Sequence, residues 1–141
     1  MLRGNNGANT LSGGSGVDTL NGGLGHDPLT GGAGNDVFVF DSALNASTNK
    51  DTLSDFTVGQ DNIQLSQAIF TALTATGTLA AEYFRSSTTG AAADGNDYFL
   101  YNTTTGALLY DADGSGQGTA VQFATLTTKP TLTAADFTVA A

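Results

Sequence analysis

The sequence predicts an all-β fold, in which short strands repeated at a fixed spacing lead into a small antiparallel β cap with short helical turns. Three observations predict it. A nine-residue beat sets Asp18, Asp27 and Asp36 at equal intervals, and likewise Gly14, Gly23 and Gly32, then Gly16, Gly25 and Gly34. One large apolar residue marks each beat: Leu11, Leu20, Leu29 and Phe38. That period is not helical, and leaves room for a tight turn and a strand of about three residues. Further on, the runs 97–102, 107–111 and 120–126 read as strands, the first two parted by the turn signal "NTTTG".

Taken in order, "RGNNGANTL" (3–11) is an imperfect first copy that keeps Gly7 and Leu11 but places Asn9 where aspartate stands later. Three full copies follow. "DVFVFD" (36–41) is a glycine-free strand that ends the repeat, and "NASTNK" (45–50) reads as a loop. In "KDTLSDFTVGQDNIQLS" (50–66), Asp51, Asp55 and Asp61 alternate with Leu53, Phe56, Ile63 and Leu65, and "GQDNI" keeps half of the nonapeptide. After an apolar patch, "AIF", come "TLAAEYF" and its echo "TLTAADF" (131–137), each expected to form one helical turn.

The repeat has a stability problem. Ordering one residue costs roughly 1–2 kcal/mol of backbone entropy, glycine most of all. One buried leucine per beat returns about 1.5–3 kcal/mol, and each rung hydrogen bond nets about 0.5–1.5 kcal/mol. Stacked aspartates add repulsion. A divalent cation between them removes the repulsion and adds coordination energy. Calcium is the natural choice, because it takes carboxylate and carbonyl oxygens in flexible geometry and glycine turns expose carbonyls. The net charge of -9, with every acid except Glu82 an aspartate, points the same way. It argues against nucleic acid or an anionic membrane as partner. No run is long and apolar enough for membrane insertion, and without cysteine there is neither a disulfide framework nor a thiolate metal site.

The nonapeptides in "GGSGVDTLNGGLGHDPLTGGAGNDVF" resemble the calcium-binding repeat of RTX proteins. "DTLSDFTVGQDNIQLS", "YNTTTGALLYDADGSGQGTAVQFATL" and "LTAADFTV" are similar to the stretches that follow the repeat in serralysin-like members. The resemblance implies a right-handed parallel β-roll over 1–65, with its last rungs, and a cap over 66–141. It implies that each nonapeptide is half a coil, so that turns two repeats apart stack and hold calcium between them. The expected ligand turns are Gly13, Gly14, Gly16 and Asp18; Gly22, Gly23, Gly25 and Asp27; and Gly31, Gly32, Gly34 and Asp36. Stacking pairs Asp18 with Asp36, and Asp27 with Asn9. The first pair is expected to make a strong site. Asn9 lacks charge and Pro28 removes a ladder donor, so the second side is expected to be weak or empty.

Asp51, Asp55 and Asp61 read first as turn caps, with calcium ligation as the alternative. In "DADGSGQG" (111–118), Asp111, Asp113 and Ser115 stand at the 1, 3 and 5 positions of a calcium loop, but position 12 is Gln122 and no helices flank it. A local calcium loop and an Asx-rich hairpin both remain open there. His26, the one histidine, has no partners for a zinc site and no nucleophile motif beside it, so no catalytic residue is expected.

The resemblance also implies a secreted, extracellular module at the tail of a larger protein, exported by the type I secretion machinery. Asp136-Phe137-Thr138-Val139 approximates the family's C-terminal signal of an acid followed by apolar residues. Met1 opens inside the glycine pattern and no signal peptide is evident, so an upstream cargo domain is expected. The first functional reading is a non-catalytic module that folds when calcium binds. The second is a polysaccharide-binding module like those attached to alginate epimerases, although Arg3 is the one base within residues 1–40.

Overall fold

The structure, a computed structural model, describes residues 1–141. It is built on two sheets between which the chain alternates. β1 (Leu2–Arg3), β3 (Thr19–Asn21), β5 (Val37–Phe40) and β7 (Asn62–Ser66) lie side by side in one sheet. β2 (Leu11–Ser15), β4 (Pro28–Ala33) and β6 (Asp51–Leu53) lie side by side in the other. All these neighbours pair in parallel. The roll expected from the repeat is therefore present.

The register follows from the beat. Leu2 pairs with Leu20, Leu20 with Phe38, and Leu11 with Leu29, so apolar residues of successive coils stack in two columns that face each other. Leu20, Leu29, Phe38, Leu53 and Ile63 are fully buried. Two nonapeptides make one coil, and the hydrogen bonds between stacked turns join residues 18 apart. The next coil is longer: Asp51 stands 24 residues beyond Asp27, and Asp61 25 beyond Asp36. The extra residues form the loop that holds "NASTNK", closed by an Asn45–Asn49 bridge, and the turn before β7. Pro28 is the first residue of β4, where a missing N–H does least harm.

The second half of the chain does more than close the roll with antiparallel strands. β10 (Phe99–Asn102), β11 (Ala107–Tyr110) and β12 (Val121–Leu126) form an antiparallel meander, as their turn signals predicted. However, β12 pairs in parallel with β6, and β13 (Phe137–Ala140) pairs in parallel with β7. Both sheets thus gain another parallel rung from the C-terminal region. The long excursion over residues 67–120 makes this possible, since parallel neighbours need a long crossover whereas antiparallel ones can share a short turn. β8 (Gly77–Thr78) and β9 (Phe84–Ser87) form the outer edges, β8 antiparallel to β13 and β9 parallel to β10.

The excursion supplies the aromatic plug that glycine turns lack. Phe70 sits with ring centroids 5.4 Å from Phe99, 5.1 Å from Tyr110 and 5.1 Å from Phe123. The 22 buried residues of the core run without a break from Leu20 to Val139. Both expected helical turns are single 3₁₀ turns, Ala81–Tyr83 and Ala134–Asp136. The second is held by a capping box, in which Asp136 accepts the Thr133 N–H at 2.8 Å. Phe84 and Phe137, which follow the two turns, stack at 5.3 Å.

Candidate metal centre

Two of the glycine turns end in an aspartate whose two oxygens have different tasks. Asp27 Oδ1 accepts the N–H of Asn9 at 2.7 Å, and Asp36 Oδ1 accepts the N–H of Asp18 at 2.8 Å. One oxygen therefore ties each turn to the turn a coil earlier. The other oxygen, Oδ2, is buried in both residues and has no hydrogen-bond partner. A buried carboxylate oxygen without a donor is costly. Two such oxygens stand at equivalent positions in their turns.

The glycines form the rest of the cradle. A Cβ on Gly31 would collide with Asp36 Oδ2, one on Gly22 with Asp27 Oδ2, and one on Gly13 would come within 2.7 Å of Asp18 Oδ2. The first glycine of each turn is thus small because the carboxylate lies over it. Gly32 and Gly34 adopt φ of 101° and 134°, and a Cβ on either would strike the carbonyls of Gly14 and Gly16 a coil below. A Cβ on Gly13 would meet both the Gly31 carbonyl and Asp18 Oδ2, which therefore flank the same glycine. No point in the chain gathers three or more acidic or imidazole side chains. An ion here would be held by one carboxylate per turn with backbone carbonyls, a donor set of hard oxygens that suits calcium. Asn9, Gly16, Gly23 and Gly25 belong to the same stacked turns. The sides headed by Asp27 and Asp36 share the free buried oxygen, so the expected difference between them rests on Asn9 alone.

The ladder continues past the repeat. Asp51 Oδ1 accepts the Asp27 N–H at 3.2 Å, and Asp61 Oδ1 accepts the Asp36 N–H at 3.0 Å. Asp61 also closes its own turn, accepting the Thr57 N–H at 2.8 Å. Asp55 caps a turn with both oxygens, accepting the N–H groups of Gly31 at 2.9 Å and Gly32 at 2.8 Å. Asp55 and Asp61 thus engage backbone N–H groups with both oxygens, as turn caps do, whereas Asp51 engages one with Oδ1 alone. Burial, followed by the negative charge of Asp27, pushes the Asp51 carboxyl up to about 7. Burial also raises Asp61, against the hydrogen bonds from Asp36 and Thr57. In both, burial is the main cause, and neighbouring carboxylates add to it.

The 111–118 loop is arranged differently. Asp111 Oδ1 accepts the Asp113 N–H at 3.3 Å, and Asp113 Oδ2 accepts the Gly118 N–H at 2.8 Å. Asp113 thus closes its own loop, packed over Gly116 and Gly118. Burial raises the Asp111 carboxyl, while the Gly118 N–H lowers that of Asp113. Asp97, not singled out in the sequence, is a buried cap whose Oδ2 accepts the N–H groups of Ala93 at 2.7 Å and Asp94 at 3.1 Å. Its signal was the Asx-rich "DGND", which any turn could produce. His26 lies with its ring nitrogens 2.9 Å from the Lys50 carbonyl and 3.0 Å from that of Ser47. It pins the 45–50 loop to the roll.

Stacked glycine turns, a carboxylate ladder and buried oxygens without donors define a parallel β-roll with candidate metal-ligating turns. The family model described as Peptidase M10 serralysin C terminal matches residues 4–139, nearly the whole chain. The chain belongs to that family, the RTX-type calcium-binding β-roll domain that forms the non-catalytic C-terminal part of serralysin-type proteases. Domains of this family occur in type I-secreted extracellular proteins. No curated protein matches the sequence.

Proposed function

We propose that this chain is a calcium-gated folding module that carries the C-terminal type I secretion signal of a larger exported protein. The observation that supports it best is the pair of buried, unpartnered oxygens on Asp27 and Asp36, each facing glycine-turn backbone. Calcium supplies the positive charge and the coordination that those oxygens lack. Where free calcium is scarce, the carboxylates repel one another and the glycine-rich turns stay open. Where calcium is plentiful, it binds the folded state alone and draws the chain into the roll. The chain's own contribution is to hold the cradle ready: Oδ1 of each aspartate positions the carboxylate, and the absent Cβ of Gly22 and Gly31 keeps the space clear.

A calcium titration from chelator, followed by far-UV circular dichroism, tests the gating, with magnesium as the control. A cooperative gain of β signal with calcium and not with magnesium is expected. A chain already fully structured in chelator refutes the gating. Export is tested separately: appended to a passenger protein, the chain directs calcium-free passage through a type I channel, and removal of residues 132–141 abolishes it.

A further inference from the structure

The loop that lengthens the third coil is held in place from several sides. Asn49, only 8% exposed, accepts the Gly25 N–H on Oδ1 at 3.1 Å and donates from Nδ2 to the Ala43 carbonyl at 2.7 Å. The His26 ring reaches the Ser47 and Lys50 carbonyls. Asn45 Oδ1 closes the tip, accepting the N–H groups of Ser47 at 2.9 Å and Thr48 at 3.1 Å. Between this fixed loop and the 22–27 turn lies a groove of about 340 Å³, lined among others by Asn6, Leu24, Ala43, Leu44, Asn45 and Thr48. Its volume falls within the range of small-ligand sites.

The lining has an apolar part and a polar part. Leu24 occupies the place in its glycine turn that Ser15 and Ala33 take in the turns on the other side of the roll, and it is 36% exposed. With Ala43 and Leu44 it gives the groove an apolar floor. The rim is made of amides and a hydroxyl. Asn45 Nδ2 is left without a partner once Oδ1 has capped the tip, and the side chains of Asn6 and Thr48 are exposed. None of the lining residues is charged, in a chain that carries 13 acids. Beyond Asn6 the groove continues towards Arg3, whose guanidinium is already taken by Asp41 at 3.1 Å.

This lining selects among ligand classes. A cation would find no carboxylate and an anion no free base. A peptide strand would find no open edge, because the Gly25 N–H is held by Asn49 and the Gly25 carbonyl by the Lys50 N–H at 3.2 Å. A sugar ring offers an apolar C–H face together with hydroxyls that both donate and accept, which matches a leucine floor under an amide rim. We propose that the groove between the 22–27 turn and the 41–50 loop binds a neutral sugar unit of an oligosaccharide. Leu24 supports the C–H face, while Asn45 Nδ2 and Thr48 Oγ1 engage hydroxyls. The groove belongs to the folded roll whatever drives its folding, so the proposal stands apart from the calcium gating.

The test uses the full chain in calcium, isotope-labelled for NMR and titrated with hexasaccharides of glucose, mannose and galactose, with a uronate hexasaccharide as the charged control. Saturable shifts at Gly25, Thr48 and the Asn45 side-chain amide are expected with at least one neutral sugar. Leu24→Ala gives the turn the residue that Ala33 supplies elsewhere and should weaken binding by about tenfold. Asn45→Asp keeps the oxygen that caps the tip but removes the free amide, and should weaken it to a similar degree. Val58→Ala, at an exposed apolar residue outside the groove, should leave binding unchanged. Unaltered signals from the rest of the roll show that each variant is folded. No saturable shift with any neutral sugar, shifts confined to other residues, or binding indifferent to Leu24→Ala overturns the proposal. Binding of the uronate alone also overturns it, since the site would then recognise charge.

Discussion

Asp36→Asn separates metal binding from ordinary hydrogen bonding at one atom. Asparagine keeps an oxygen where Asp36 Oδ1 receives the Asp18 N–H at 2.8 Å, so the tie between coils survives. It replaces the buried, partnerless Oδ2 with an uncharged amide. One carboxylate serves this turn, so one ion seat is lost. At calcium a hundredfold above a seat's dissociation constant, each seat adds about 2.7 kcal/mol to stability. Asp36→Asn is therefore expected to lower stability by about that amount in high calcium, and the slope of stability against log calcium should fall by about one ion. The comparison is Asp97→Asn, another buried aspartate whose carboxylate is taken up by the Ala93 and Asp94 amides. It should lower stability at every calcium concentration without changing the slope. Urea unfolding followed by circular dichroism across a calcium series reads both quantities. Equal slopes for wild type and Asp36→Asn would show that the free oxygen holds no ion, and the metal reading of that turn would fall.

Three further outcomes follow from the same geometry. Gly32→Ala places a Cβ against the Gly14 carbonyl at a left-handed φ, and should cost several times the ~1–2 kcal/mol of strain alone expected for Gly59→Ala, whose φ is 80° but whose surroundings are open; urea midpoints compare them. In chelator, the Asp51 carboxyl at about 7 in the folded state lies above the ~3.9 of an unfolded aspartate. The folded form then binds the proton more tightly, so the stability it contributes is full below pH ~4 and lost as pH rises to ~7. Circular dichroism in chelator should show structure gained on acidification over that window, and Asp51→Asn should flatten the change. Phe137→Ala empties a fully buried site in β13 and should cost about 3–5 kcal/mol, seen as a lower urea midpoint with an unchanged calcium slope.

The legible parts of this fold are those whose cause is local. Gly14, Gly23 and Gly32 have φ of 103°, 93° and 101°, a demand that each turn makes on its own residue and that the sequence therefore prints at every beat. The columns of Leu11–Leu29 and Leu20–Phe38 were visible for the same reason. Asp55 was harder to place. Its bonds to Gly31 and Gly32 span 24 and 23 residues, off the nine-residue beat, because the 41–50 loop lengthens that coil. The parallel rung formed by β12 and β13 left no local mark at all. Thr127 Oγ1 donates to the Leu53 carbonyl across 74 residues, and "AVQFATL" reads alike whether its neighbour runs parallel or antiparallel. The free Oδ2 atoms were inferable as a need for cations, but their burial appears only once the coils are stacked.

That rung also joins the roll to the aromatic core. Asp51 opens β6 and holds the Asp27 amide, while its own strand pairs with β12. Asp61 holds the Asp36 amide one residue before β7, which lies between β5 and β13. The last aspartates of both ladders are thus fixed by strands that complete the apolar core. When those strands are in place, Asp51 and Asp61 order the turns of Asp27 and Asp36, and the next coil follows through Asn9 and Asp18. Burial, with the neighbouring carboxylates adding to it, pushes Asp51 and Asp61 up, and a cation bound in a turn, as proposed above, would offset the carboxylate part at the point where roll and core meet. The expected consequence is a single transition: ring signals from the Phe70–Phe99–Tyr110–Phe123 cluster and the far-UV β signal should rise together along a calcium titration. Aromatic signals complete before the β signal begins to rise would mean that the core folds alone, and that the ladder does not couple the two halves.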